Sequence, residues 1–322
     1  VMENKAKSGV FKYEHSWSTA QTLEKLIEAL RGSWDISIST SGSTGAPKEI
    51  LIPASAMIYN AQNSNKYLGA KPGDRWSLLL SPEHTAGLNV LVRSIELGTT
   101  PVTESESADF TAIVPTQLFR ALNGDAQLLL HLKGCKAVLV GGAAADEKLL
   151  ALAKAAGINC ITTYGMTETS GGCIYNGEPL PGVEIRIQET IEIKGPMLAR
   201  VPLKDGYFVT SDLGKIEAGK LIVLGRADDV INSGGKKVSL SKVEIALGES
   251  FAAFGSESSE WGASLNIATT SNMSDEEIQL VLSVKFGVKA LNIYRVKEIP
   301  RTALEKIDRQ ALITTLVGYP NE

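Results

Sequence analysis

Ser39-Thr40-Ser41-Gly42-Ser43-Thr44-Gly45-Ala46-Pro47-Lys48 packs five hydroxyl side chains, two glycines and a lysine into ten residues. Glycines let backbone N–H groups turn toward an anion, hydroxyls add donors, and Lys48 adds positive charge. The segment does not fit the Walker spacing, in which Lys-Ser/Thr follows the second glycine directly. A bare Gly/Ser run would read as a flexible linker. Here the alternating strand pattern Asp35-Ile36-Ser37-Ile38-Ser39 precedes the run, and residues 54–68 read as a helix ending near Gly69. The reading is therefore a phosphate-contacting loop set between a strand and a helix.

Working outward, Leu23, Leu26, Ile27 and Leu30 recur at helical spacing, and Gly32 stops that helix. Strand patterns at 76–80, 112–114, 137–140 and 160–163 alternate with helical ones at 88–97, 116–132 and 146–156. Such alternation predicts an α/β domain with a largely parallel sheet. After about residue 175 short alternating strands at 183–187, 191–193, 207–209 and 221–224 predict a β-rich subdomain. From about residue 228 strands and helices mix, with helices expected at 241–248, 274–280 and 305–316 and a strand at Ser264 to Ala268. The expected organisation is a large domain over 1–227 and a small α+β domain over 228–322.

Bulk properties narrow the field. The 322 residues suffice for two cores, and 43% apolar with 21% charged is an ordinary globular composition. A net charge of −4 offers no general attraction to nucleic acid or an anionic membrane. No apolar run reaches transmembrane length and no signal-peptide pattern opens the chain. Cys135, Cys160 and Cys173 lack metal-ligand spacing and read as thiols of a reducing compartment, so a cytoplasmic location is expected. The sequence leaves a homo-oligomer open.

Four further segments join the glycine-rich loop in a fixed order: Tyr164-Gly-Met-Thr-Glu-Thr169, Thr210-Ser-Asp-Leu-Gly214, Gly225-Arg-Ala-Asp-Asp-Val-Ile-Asn-Ser-Gly-Gly-Lys-Lys-Val238 followed by Glu244, and Pro300-Arg-Thr-Ala-Leu-Glu-Lys306. Together they resemble the motifs of the adenylate-forming superfamily of acyl-CoA synthetases, peptide-synthetase adenylation domains and luciferases. Ser81-Pro-Glu-His-Thr-Ala-Gly-Leu-Asn-Val-Leu-Val-Arg-Ser-Ile95, and a short segment before the loop, are similar to the compact o-succinylbenzoate–CoA ligases of menaquinone biosynthesis.

The resemblance implies that a carboxylic acid is activated with ATP and Mg²⁺ as an acyl-adenylate, then passed to CoA. Thr40, Ser41, Gly42, Ser43, Thr44, Gly45 and Lys48 would meet phosphate. Gly141, Gly142, Ala143, Tyr164 and Gly165 would line the adenine and acyl groups. Asp212 would grip the ribose and Arg226 the nucleotide. Glu168 would be the Mg²⁺ carboxylate, Thr167 a phosphate contact and Lys306 the catalytic lysine of adenylation. Asp228 would be the hinge of a mobile small domain, and Gly235 would line a tunnel for the pantetheine arm. His84 and Arg93 are candidates for the acyl pocket, with packing equally open for His84 and a solvent-facing position equally open for Arg93. The superfamily places Gly before its lysine; here Glu305 stands there. Two alternatives stay open: another acid–CoA or acid–carrier-protein ligase of the same superfamily, and a nucleotide-binding protein without turnover.

Overall fold

Helix α1 (Thr19–Arg31) starts where Ser18 and Gln21 close a reciprocal capping box, with the Ser18 hydroxyl accepting the Gln21 N–H at 3.2 Å and the Gln21 side chain accepting the Ser18 N–H at 2.9 Å. The helix buries Leu23, Leu26 and Leu30 and stops at Gly32, as their spacing predicts. A computed structural model describes residues 9–41, 47–143, 147–227, 229–233, 235–258, 262–301 and 307–317. The chain divides into two compact units: Val1–Gln188, Glu192–Thr210 and Ile216–Ile222 in the first, and Glu189–Ile191, Ser211–Lys215 and Val223–Glu322 in the second.

In the first unit β1 (Val10–Lys12) pairs parallel with β2 (Asp35–Ser41), and β2 pairs antiparallel with β3 (Pro47–Pro53) in the register Ile38↔Ile50 and Thr40↔Lys48. This corrects the sequence reading. The glycine-rich loop joins two antiparallel strands rather than a strand and a helix. Ile50 and Ile52 point into the core with a period of two, which makes residues 47–53 a strand before helix α2 (Ala54–Tyr67) begins.

The main sheet runs β4 (Trp76–Ser77), β5 (Phe110–Ile113), β6 (Ala137–Val140), β7 (Cys160–Met166), β8 (Gly171–Tyr175) and β9 (Glu178–Pro179) in sequential order. Pairing is parallel from β4 to β7 and antiparallel from β7 to β9. The connecting helices are α3 (Thr85–Glu96), α4 (Pro115–Leu122), α5 (Ala126–Gly134) and α6 (Glu147–Ala155). The single helix expected over 116–132 is two. Gly124 takes φ +133°, and Asp125 caps α5 by accepting the Leu128 N–H at 3.1 Å. One apolar cluster joins α1, α2 and α3 to β2 and β3 through Leu26, Ile36, Ile52, Met57, Leu88 and Leu91. A second joins α4, α5 and α6 to β5 and β6 through Ile113, Leu118, Leu132, Val138 and Ala153. The segment after 175 holds the expected short strands β10 (Glu184–Ile187), β11 (Ile191–Lys194) and β12 (Phe208–Val209) in one sheet; in another, the expected β14 (Lys220–Arg226) pairs with β13 (Asp212–Glu217), which the sequence reading did not include.

In the second unit β15 (Val230–Ser233), β16 (Lys236–Ser239), β17 (Phe251–Ser258) and β18 (Gly262–Thr269) form a sheet of order β16-β15-β18-β17. The strand β19 (Asn292–Arg295) adds parallel to β18. Helices α7 (Leu240–Leu247) and α8 (Asp275–Phe286) cover Leu265 and Ile267, while α9 (Arg309–Leu316) packs Leu312 with Ala252, Phe254 and Ala268. Among the described residues no helix is long and apolar enough to cross a membrane.

Candidate active site

The four parallel strands end at a common edge, and the segments leaving it are Leu78 to His84, Val114, Gly141 to Ala143, and Tyr164 to Glu168. In open α/β sheets ligands bind outside the carboxyl ends of the strands. Two glycines are fixed here by close approach. A Cβ on Gly141 would stand 2.2 Å from the Thr163 hydroxyl, so Gly141 lets the ends of β6 and β7 draw together. A Cβ on Gly165 would stand 2.1 Å from the Gly171 carbonyl oxygen, at the point where the β7–β8 register shifts. Beyond the bulge the ladder runs two more pairs, Gly165↔Gly172 and Met166↔Gly171, and the chain then enters the 3₁₀ turn Thr167–Thr169.

Helix α3 holds this turn in place. Thr85, Asn89 and Arg93 are buried, four residues apart, on a helix otherwise lined with Leu88, Val90, Leu91 and Val92. Spacing of four puts the three polar groups on one face. Thr85 donates to the Thr167 hydroxyl at 2.9 Å, Asn89 to the Ser170 carbonyl at 2.7 Å and Arg93 to the Tyr175 hydroxyl at 3.2 Å. The rungs follow the chain from the turn into β8. Around the last rung, Ser64 and the Tyr175 hydroxyl lie 2.8 Å apart, and the Arg93 guanidinium sits 4.9 Å from the centre of the Trp76 ring. Arg93 is 4% exposed, which removes the solvent-facing alternative. Its Nε is buried without a hydrogen-bond partner, and no carboxylate among the described residues pairs with it.

The remaining positions in the first unit fall as follows. His84 is the N-cap residue of α3 and is half-buried; burial pushes its imidazole below the usual value, with Glu83 pulling up and His15 pushing down. Neutral imidazole is thus its form near neutral pH. Lys48 is exposed on β3, and its carbonyl accepts the Thr40 hydroxyl at 3.1 Å. Tyr164 lies on β7, and Gly142 and Ala143 follow β6 at the surface. The Glu168 carbonyl accepts the Ala199 N–H at 2.9 Å, while its carboxylate meets no bonding partner among the described residues. A magnesium ion on phosphate oxygens needs only one or two protein carboxylates, so a single half-exposed Glu168 fits such an ion.

In the second unit Asp212 and Arg226 approach to 3.9 Å between Oδ1 and Nη1. The Ala227 N–H donates to the Ser211 carbonyl at 2.7 Å, which fastens the two ends of this pair. Gly235 takes φ +79° in the turn between β15 and β16, and a Cβ there would meet nothing within 4 Å. Gly42, Ser43, Thr44, Gly45, Asp228 and Lys306 lie outside the described residues, as does the Ser41 side chain.

Sequence reasoning missed Thr85, Asn89, Tyr175 and Ser64. The first two were marked by a signal: with Arg93 they form a polar i, i+4, i+8 series on an apolar helix. Tyr175 and Ser64 carry no local signal, since their partners are 82 and 111 residues away.

Residues 36–192 match the AMP-binding enzyme family. A probable 2-succinylbenzoate–CoA ligase of Mycobacterium tuberculosis is 36% identical, over 93% of this chain and 90% of that protein. The 2-succinylbenzoate–CoA ligase of Listeria monocytogenes serovar 1/2a is 27% identical over 97% of this chain and 76% of its own length. Among solved structures, o-succinylbenzoate CoA synthetase (MenE) from Bacillus subtilis in complex with its acyl-adenylate intermediate OSB-AMP superposes with TM-score 0.74 and 24% identity over 86% of this chain and 68% of that one. ATP-bound MatB from Rhodopseudomonas palustris superposes with TM-score 0.76 and 22% identity over 88% and 68%. At these identities the superpositions establish the fold: a mixed α/β architecture shared with adenylate-forming enzymes.

Proposed function

This chain belongs to the AMP-binding enzyme family, and we propose that within it the protein is a 2-succinylbenzoate–CoA ligase. Its substrates are then ATP, 2-succinylbenzoate and CoA. The relative of 36% identity sets the frame. The observation that carries the substrate assignment is Arg93, a buried guanidinium that no carboxylate among the described residues pairs with. Burying a charge is costly unless it is paired. 2-Succinylbenzoate has two carboxylates. The succinyl one reacts, and the ring carboxylate supplies an anion to pair with Arg93.

In the first half-reaction a succinyl carboxylate oxygen bonds to the α-phosphorus of ATP, and the bond from that phosphorus to the pyrophosphate oxygen breaks. Two anions must meet, so neutralising charge dominates the barrier. Lys48 and the hydroxyls of the glycine-rich loop bring positive charge and donors to the phosphates. Thr167 accepts from Thr85 and so keeps its own hydroxyl proton to donate to a phosphate oxygen. Glu168 would hold Mg²⁺, whose contribution is to screen phosphate charge. Asp212 accepts from ribose hydroxyls, with Arg226 beside it. Lys306 is assigned to the charge that builds between carboxylate and α-phosphate. In the second half-reaction the CoA sulfur bonds to the acyl carbon, the bond from that carbon to the AMP oxygen breaks, and AMP leaves. Asp228 is the proposed hinge between the two steps, and Gly235 lies on the pantetheine path. Cys135, Cys160 and Cys173 are free, and burial pushes Cys135 and Cys173 up to about 12, so neither serves as a nucleophile. Unpaired thiols agree with a cytoplasmic enzyme.

The test is ATP–pyrophosphate exchange by purified protein with Mg²⁺ across a panel of acids, followed by AMP release with CoA or a carrier protein. The reading requires exchange with 2-succinylbenzoate well above other acids and product only with CoA. Exchange with a different acid, or product only on a carrier protein, moves the chain to another ligase of the family. No exchange with any acid makes it a binding protein.

A further inference from the structure

Arg309, at the start of α9, touches β17, α7 and Asp229, the residue just before β15, at once. Its Nε donates to the Ala253 carbonyl on β17 at 2.9 Å. Its Nη2 donates to both carboxylate oxygens of Glu244 on α7 at 2.8 Å and lies 3.3 Å from Oδ1 of Asp229. Each acid is anchored in turn. Glu244 accepts the Ala253 N–H at 2.9 Å, and Asp229 accepts the Ser241 N–H at 2.9 Å. The Asp229 side chain is 9% exposed, that of Glu244 14% and that of Arg309 30%. A planar guanidinium bridging two carboxylates in this setting fixes direction as well as distance.

The two ends of the triad are informative. Asp229 directly follows Asp228, and Arg309 comes three residues after Lys306. On both sides of residues 302–306 the backbone is tied: Arg301 bridges Ile307, and the Asp308 N–H donates to the Pro300 carbonyl at 2.9 Å. Asp308 then caps α9 by accepting the Ala311 N–H at 3.0 Å, and Leu312 is buried one turn on. The residues flanking 302–306 are thus anchored twice, by backbone pairing and by an ion triad that leads back to Asp229, the residue beside the proposed hinge.

Resting on the function proposed above, we infer that Arg309 is a positioning residue for adenylation: through Glu244 and Asp229 it fixes the start of α9, three residues beyond the proposed catalytic Lys306, relative to the residue that follows the proposed hinge Asp228. Arg309 does not touch substrate. Its contribution is geometric, and a misplacement of the order of 1 Å in a charge-neutralising group costs roughly a hundredfold in rate.

The test uses the full chain carrying Arg309→Met, which keeps the aliphatic stem, and Glu244→Gln, which keeps an acceptor for the Ala253 N–H. Three readouts are taken: pyrophosphate exchange, thioester formation from supplied acyl-adenylate and CoA, and amide hydrogen exchange. Arg309→Met is expected to lower the kcat of adenylation by at least about tenfold with KM for ATP little changed. It should leave the thioester step within about threefold and lose amide protection at residues 307–311. Glu244→Gln falls between it and the wild type. Equal loss in both half-reactions, tracking the fraction folded, overturns the inference and leaves Arg309 a stability residue. Wild-type amide protection at 307–311 in Arg309→Met refutes the clamp whatever acid the enzyme uses. A wild type that runs no exchange with 2-succinylbenzoate counts instead against the function assigned above.

Discussion

Thr85, the first residue of α3, donates a 2.9 Å hydrogen bond to the hydroxyl of Thr167, the first residue of the turn that presents Glu168. One bond thereby joins a helix N-terminus to the motif expected to meet phosphate. A net hydrogen bond is worth about 1 kcal/mol, and tenfold in rate is about 1.4 kcal/mol. Thr85→Val keeps the shape and removes the donor. It should lower kcat/KM for adenylation roughly fivefold to tenfold, with Thr85→Ser near wild type. Wild-type pyrophosphate exchange in Thr85→Val would show that the bond has no part in placing Thr167.

Arg93 is assigned to the ring carboxylate of 2-succinylbenzoate. Arg93→Met fills the same buried space without charge. Removing one partner of a buried charge pair costs about 3 kcal/mol or more, so kcat/KM for 2-succinylbenzoate should fall roughly a hundredfold. The analogue lacking the ring carboxylate should be used equally by both proteins. Parallel losses for the two acids would mean that Arg93 only packs against Tyr175 and Trp76.

Gly165→Ala sets a methyl group 2.1 Å from the Gly171 carbonyl oxygen, where backbone must move. Forced overpacking of this kind costs about 1–3 kcal/mol. Thermal unfolding should shift down by several degrees, and ATP affinity should fall with it because the bulge sets the course of Thr167 and Glu168. An unshifted melting curve would contradict the close approach.

The two half-reactions separate two of the proposed roles. Lys306→Ala should abolish pyrophosphate exchange while thioester formation from supplied acyl-adenylate continues. Asp228→Pro should leave exchange and block thioester formation, since proline fixes the backbone torsion a hinge needs. Rate assays on each half-reaction decide both; loss of both steps in Lys306→Ala would refute its assignment.

Glu244 gives a pH signature. Burial pushes its carboxyl from 4.5 up to about 7, against the pull of Arg309 and with a further push from Asp229. A folded-state value above the unfolded one means the folded chain holds the proton more tightly. The stabilisation is complete below about pH 4.5 and is lost as pH rises through about 7. The Tm difference between wild type and Glu244→Gln should therefore shift against the wild type as pH climbs through that window. A difference that moves in the wild type's favour would contradict the raised value.

Much of the architecture was legible because it rests on local periodicity. The leucines of α1 and the apolar strands β5 and β6 are written at spacings that a helix or strand turns into a face. Local signals failed where two readings competed. Residues 47–53 sit between a loop and a helix, and only pairing with β2 in the register Ile38↔Ile50 declares them a strand. Residues 116–132 carry helical spacing throughout, yet the Gly124 torsion and the Asp125 cap divide them.

The order of its motifs, set by residue types that chemistry constrains, already placed this sequence in its family. Folding decided the partners. Among the described residues Arg93 gained Tyr175 and Trp76 but no acid, and Arg309 gained two acids from segments 80 and 65 residues away. No periodicity encodes such pairs, because burial brings distant side chains together and low dielectric then makes each match or mismatch of charge count.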